Sequence, residues 1–236
     1  MTRFIDETKW RQLATQEDWY LQLEPDYRAL LQTAERSDAA TKEKIKSEIY
    51  SLTEELLADG TLYIGREGED FDQERAELDT VVIHHTSSAA GMSLARLNAI
   101  HLLRLYAAHY AHPPAAESQI KGRPIYSGHF KADRPVFYAY HWLIREDGSC
   151  ERLLEDNEIG WHAGNWQVNC RSVAVCFDAD LSQARPSVAA LQSVADLLQT
   201  NYPSCQLVGH REVNPQTDCP GELFLSDWKR QLEAHK

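Results

Sequence analysis

The run Val81-Val82-Ile83-His84-His85-Thr86 closes an apolar stretch with two imidazoles. Far downstream, Val208-Gly209-His210-Arg211 leads into Thr217-Asp218-Cys219-Pro220-Gly221, which sets a histidine and a cysteine nine positions apart. Two imidazoles and one thiolate are the donors of a catalytic zinc site that keeps its fourth position open. Each piece alone has an ordinary reading. A strand-end histidine is commonly packed or hydrogen-bonded, and Cys219 could be a buried free thiol. The Thr-Asp-Cys-Pro-Gly context weighs against that for Cys219, because it sets the cysteine in a tight turn. Neighbouring strand residues point to opposite faces, so only one of His84 and His85 can reach a given ion.

These residues must be carried to one place by the elements around them. Residues 80–85 read as a buried β-branched strand. Ser93 would cap a helix through Leu94, Leu97, Leu102, Leu103 and Tyr106. Residues 112–135, with Pro113-Pro114, Gly122, Pro124, Gly128 and Pro135, read as a long loop. Phe137 to Ile144 reads as a strand, Asp147-Gly148 as a hairpin turn and Cys150 to Leu154 as the return strand. Ser172 to Phe177 is another buried strand. Pro186-Ser187 opens a helix through Leu191, Val194, Leu197 and Leu198. Cys205 to Gly209 is a short strand, and a last helix runs from Leu223 to Glu233. This order predicts an α/β domain over residues 79–236, with a mixed central sheet flanked by helices.

Before it, residues 1–78 read as an acidic α-helical extension. Pro25-Asp26 would start a helix carrying Tyr27, Leu30, Leu31 and Ala34. Ile45, Ile49, Leu52 and Leu56 form a narrow apolar stripe on a second helix, ended at Asp59-Gly60. The stripe of this hairpin either packs on the main domain or binds a partner. Residues 66–79 read as a polar connector.

The chain has 236 residues, 43% of them hydrophobic, which is enough for a sizeable core. Its net charge of -12 is uneven: residues 1–80 hold 10 Lys and Arg against 20 Asp and Glu. Nucleic acid is disfavoured as a partner, since phosphate binding needs a basic patch. No apolar run approaches the ~18 residues of a membrane span. The charged N-terminus lacks the apolar core of a signal peptide, so the chain as given reads as cytoplasmic. Five cysteines, an odd number, argue against a disulfide framework.

The motifs Ile83-His84-His85-Thr86, Tyr140-His141-Trp142, Trp161-His162-Ala163-Gly164, Asn169 with Ser172-Val173-Ala174-Val175, Gly209-His210-Arg211 and Thr217-Asp218-Cys219-Pro220-Gly221 occur in one order. In that order and spacing the chain resembles the zinc-dependent N-acetylmuramoyl-L-alanine amidases of type 2. That family includes phage lysozymes, a cytoplasmic recycling amidase and the animal peptidoglycan recognition proteins. The resemblance covers about residues 80–226. It implies Zn2+ held by His84, His210 and Cys219, with Tyr140, Thr217 and His162 as catalytic groups. Tyr140 and Thr217 would donate to the oxyanion, and His162 or the water on the metal would protonate the leaving nitrogen. His85, Trp161 and Asn169 would belong to the substrate groove.

The substrate so implied is peptidoglycan or a muropeptide, cut between the lactyl group of N-acetylmuramic acid and L-alanine. Where the recycling branch has a glutamate this chain has Cys176, which favours the tyrosine-assisted variant of the chemistry. Residues 112–135 look like an insertion near the groove. Two alternatives stand beside this reading: a recognition module that binds peptidoglycan without cutting it, and a zinc amidase for a different amide. All three ligand positions are filled, which favours the enzyme.

Overall fold

The computed structural model describes residues 3–111 and 123–234. In chain order the elements are α1 (Glu7–Ala14), α2 (Trp19–Arg36), α3 (Ala39–Ala58), β1 (Thr80–His85), α4 (Leu94–His101), α5 (Ala108–Ala111), β2 (His129–Lys131), β3 (Arg134–Val136), β4 (Trp142–Ile144), β5 (Cys150–Arg152), α6 (Trp166–Arg171), β6 (Ser172–Phe177), α7 (Val188–Asn201), β7 (Gln206–Gly209), α8 (His210–Val213) and α9 (Lys229–Ala234). They divide into two compact units. One comprises Met1–Asp70 and Ser93–Phe137, the other Phe71–Met92 and Tyr138–Lys236.

The second unit carries a five-stranded mixed sheet in the order β5-β4-β6-β1-β7. β1 lies parallel to β6 on one side, with Thr80 opposite Ser172 and His85 opposite Phe177, and parallel to β7 on the other. β4 continues the sheet parallel to β6, and β5 closes that edge antiparallel. β1 and β6 are buried along their whole length. Central parallel strands covered on both faces need this unbroken β-branched composition.

Alternation along β1 separates the two faces. Val81 and Ile83 join the larger core with Val173, Val175, Phe177, α7, Phe224 and Trp228. Val82 joins Ala163, Val168 and Val208 on the other face. By strand geometry His84 shares the face of Val82, and His85 the face of Ile83.

The expected order of strands and helices is present, and boundaries differ where packing overrides pattern. The strand expected over 137–144 is regular only at Trp142–Ile144. Residues leading into it make isolated bonds instead, such as His141 N–H to the Ala174 carbonyl (3.0 Å). The last helix enters through a π-helical turn at Phe224–Trp228 that buries both aromatic rings.

The first unit holds three N-terminal helices, one more than the periodicity suggested. α2 starts at Trp19, and Pro25 sits inside it. The first turn is fixed by its aromatics: Trp19 donates to the Tyr63 carbonyl (2.9 Å) and Tyr20 to the Arg123 carbonyl (2.8 Å). These tertiary bonds offset the hydrogen bond that proline removes. Ile45, Ile49, Leu52 and Leu56 are buried on α3 as their spacing predicts. α3 packs on α4, with Arg96 paired to Glu54 (2.6 Å). Of the stretch expected as a loop, residues 112–122 lie outside the described residues; β2 and β3 form a hairpin within the rest.

Candidate metal centre

β1, β7 and the turn after α8 deliver three donors to one point. One ligand atom each of His84, His210 and Cys219 lies within 4.8 Å of the others. The His84 and His210 ring centroids are 4.6 Å apart, and Cys219 Sγ is 3.8 Å from His84 Nδ1. His210 opens α8 directly after Gly209. A Cβ on Gly209 would sit 2.6 Å from the Phe224 ring and 2.9 Å from Pro220 Cδ, so only glycine lets the turn that follows β7 close. Cys219 is held by its own turn. Its N–H donates to Thr217 Oγ1 (3.2 Å), its carbonyl accepts from Arg211 N–H (2.8 Å), and Gly221 N–H donates to the Asp218 carbonyl (2.7 Å). Gly221, at φ +117°, leaves no room for a side chain against the Leu181 carbonyl.

The donors are poised for a cation. The His210 ring faces the Ala163 carbonyl, and its Nε2 is buried with no hydrogen-bond partner among the described residues. A buried polar atom left so costs about 1–3 kcal/mol unless a ligand satisfies it. Burial lowers the pKa of His210, with the Ala163 carbonyl acting the other way, so the ring is a neutral donor. Burial pushes the Cys219 thiol up to about 12, opposed by the N–H of His85. The sulfur therefore keeps its proton unless a metal displaces it. Two imidazoles and one thiol brought together in this way fit a tetrahedral zinc site.

Around this triad the other sequence-predicted residues fall into distinct places. The Tyr140 ring is 5.1 Å from the His84 ring. Burial raises the Cys176 thiol, and the Tyr140 hydroxyl beside it acts the other way. Thr217 is half-buried, two residues before Cys219. His162 is buried, with Nδ1 3.0 Å from His84 Nε2 and Nε2 3.2 Å from Ser172 Oγ. With both nitrogens engaged inside the protein, this geometry does not favour proton delivery to a leaving group. His85 is turned away from the triad. Leu181 N–H donates to its Nδ1 (2.9 Å), and its Nε2 meets Ser87 Oγ (2.9 Å). Its backbone N–H nevertheless donates to Cys219 Sγ (3.4 Å). Asn169 is buried and accepts from the N–H groups of His162 (3.3 Å) and Ala163 (2.9 Å), which makes it a brace of that loop instead of a groove-facing residue. Trp161 is half-exposed and meets Phe71 and Trp166 edge-on at 5.2 and 5.1 Å.

Sequence reasoning missed the segment from Phe71 to Arg75, which it read as a connector. Asp72 accepts from Ile159 N–H (2.6 Å), and Glu74 accepts from Trp166 Nε1 (2.7 Å). Arg75 donates to the carbonyls of Asp156 (2.7 Å), Asn169 (2.9 Å) and Ser172 (2.9 Å). The signal available was Phe71, a lone aromatic in a run of charges.

A family profile described as N-acetylmuramoyl-L-alanine amidase matches residues 74–222. The chain belongs to that amidase family. Among curated relatives, the 1,6-anhydro-N-acetylmuramyl-L-alanine amidase AmpD of Haemophilus influenzae is 30% identical over 108 residues, covering 41% of this chain and 58% of AmpD. An endolysin of an Enterobacteria phage is 29% identical over 106 residues, 37% of this chain and 68% of the endolysin. The chain thus spans just under three-fifths of the length of AmpD. In three dimensions the amidase LysC from Clostridium intestinale aligns at a TM-score of 0.50 with 20% identity, over 73% of this chain and 91% of that one. At that identity the likeness is one of fold. The amidase-family segment takes in all three donors, Tyr140 and the Phe71–Arg75 segment from Glu74 onward.

Proposed function

We propose that this chain is a zinc-dependent N-acetylmuramoyl-L-alanine amidase. It would hydrolyse the amide between the lactyl group of N-acetylmuramic acid and L-alanine in peptidoglycan or muropeptides. The convergence of His84, His210 and Cys219 within 4.8 Å, in a chain of this family, carries the reading. A zinc ion held there would lower the pKa of a water towards neutrality and polarise the scissile carbonyl. His84 and His210 supply imidazole nitrogen donors, and Cys219 supplies charge once its proton is displaced. The N–H of His85 spreads part of that charge, as a donor to sulfur. Tyr140 and Thr217 stand beside the donors as hydroxyls for the developing oxyanion. Trp161 offers a half-exposed apolar edge to a saccharide or peptide.

A binding-only recognition module is the second reading. The complete donor set counts against it, since a module without chemistry has no use for a buried His210 Nε2 that has no partner among the described residues. Purified protein is expected to hold about one zinc per chain. His210→Ala and Cys219→Ala should each lose the metal, as measured by elemental analysis after gel filtration. A wild-type chain that stays metal-free in excess zinc would remove the catalytic reading.

A further inference from the structure

We propose that the helical turn Phe71–Glu74, together with Arg75, is a strap that positions Trp161 as a wall against the substrate, so that the segment ahead of β1 sets how tightly a muropeptide is held. The proposal rests on the amidase reading above, in which Trp161 meets a saccharide or peptide, and assigns positioning residues to that contact.

The turn is 3-10 helical, and Arg75 N–H continues its pattern by donating to the Asp72 carbonyl (3.0 Å). In such a turn side chains three residues apart lie one above the other. Phe71 and Glu74 form one such pair, Asp72 and Arg75 the other. The first pair holds rings. Phe71 meets Trp161 and Trp166 edge-on, with centroids 5.2 and 5.7 Å away. Glu74 accepts from Trp166 Nε1 (2.7 Å), and the two indoles meet at 5.1 Å. The three rings thus close a triangle in which each packs on both others, in the edge-to-face arrangement that aromatic pairs prefer. The second pair holds backbone. Asp72 accepts from Ile159 N–H (2.6 Å), two residues before Trp161. Arg75 donates to the carbonyls of Asp156, Asn169 and Ser172, and Ala76 N–H donates to the Cys170 carbonyl (2.9 Å). The strap is therefore anchored on the end of α6 and the start of β6, and holds the Trp161 loop from there.

That loop is held from two sides, and the two sides do different work. On the inside, the buried Asn169 accepts from the N–H groups of His162 and Ala163, and His162 meets His84. On the outside, the strap holds Ile159 N–H and the half-buried rings of Trp161 and Trp166. With Asn169 holding His162 from within, loss of a strap contact should release the Trp161 ring and leave the metal centre in place. A wall that touches the substrate away from the reacting atoms binds ground state and transition state alike. Misplacing it raises KM and leaves kcat as it was.

The test uses the full zinc-loaded chain and a soluble muropeptide, with steady-state kinetics and titration calorimetry. Phe71→Ala, which opens the triangle, should raise KM about 3–10-fold, the worth of an aromatic pair, with kcat and zinc content unchanged. Phe71→Tyr keeps the ring and should recover the wild-type KM. A Phe71→Ala chain with a lowered urea midpoint and the wild-type KM would make the strap structural only and overturn the proposal. A fall in kcat at constant KM would overturn it as well. If Phe71→Ala does not fold, Glu74→Leu removes the exposed tie to Trp166 and should raise KM about threefold, with Glu74→Gln restoring it. An unchanged KM in Glu74→Leu then overturns the proposal. A wild type that binds muropeptide without cutting it defeats the amidase reading alone, and the strap then stands or falls on whether Phe71→Ala weakens that binding by the same factor. A wild type that neither binds nor cuts overturns both.

Discussion

His210 and Cys219 meet protons in opposite ways, and the metal reading depends on the difference. Burial lowers the pKa of His210, so that nitrogen is already free at neutral pH. Burial raises the Cys219 thiol to about 12, so zinc must displace that proton. Binding should therefore release at least one proton per zinc between about pH 7 and 8, the one from Cys219, and affinity should fall about tenfold or more for each unit of pH lowered across that range. Calorimetry in buffers of different ionisation enthalpy counts the protons; a release well below one per zinc would mean that Cys219 does not bind as a thiolate. Tyr140 separates catalysis from metal holding. Its ring stands 5.1 Å from His84, and Tyr140→Phe should slow turnover by about 100–1,000-fold if its hydroxyl is an oxyanion donor. Zinc content should be unchanged; metal loss in that variant would move Tyr140 from the chemistry to the scaffold.

At the scale of elements, the pieces with strong local signals were legible. β1 and β6 declared themselves as β-branched runs, and Asp147-Gly148 marks the turn between β4 and β5. Ser93 and Ser187 cap α4 and α7, each accepting from the third residue on at 3.0 Å. The triad could be picked out because its members sit at strand ends and in a Pro-Gly turn. What stayed hidden depends on partners far along the chain. Nothing local says that Pro25 lies within α2, since Trp19 and Tyr20 are fixed by Tyr63 and Arg123. Nothing local says that Asn169 and His85 turn inward, or that Arg75 reaches three carbonyls. Removing that guanidinium leaves Asp156, Asn169 and Ser172 carbonyls short of a charged donor. Arg75→Leu should cost about 3 kcal/mol in urea unfolding, the scale of a part-buried charge-assisted hydrogen bond. A loss below about 0.5 kcal/mol, the scatter of neutral surface changes, would show that Phe71–Arg75 is a connector after all.

Across the whole molecule, the acidity and the chemistry are separated along the chain. Most of the net charge of -12 lies before residue 81, ahead of every candidate metal ligand. An acidic protein has no electrostatic attraction to an anionic wall polymer, so substrate capture must rest on contacts at the site. Among the described residues no helix is long and apolar enough to cross a membrane. On the function proposed above, the triad and Tyr140 cut one particular amide. Mass spectrometry of digests of intact sacculi and of soluble muropeptides tests it directly. With zinc-loaded wild type, the products should be a saccharide ending in the free lactyl carboxylate and a peptide with a free L-alanine amine, and Cys219→Ala should yield neither. Cleavage at any other bond, persistence of the products in Cys219→Ala, or binding of muropeptide without cleavage by the zinc-loaded protein would contradict it.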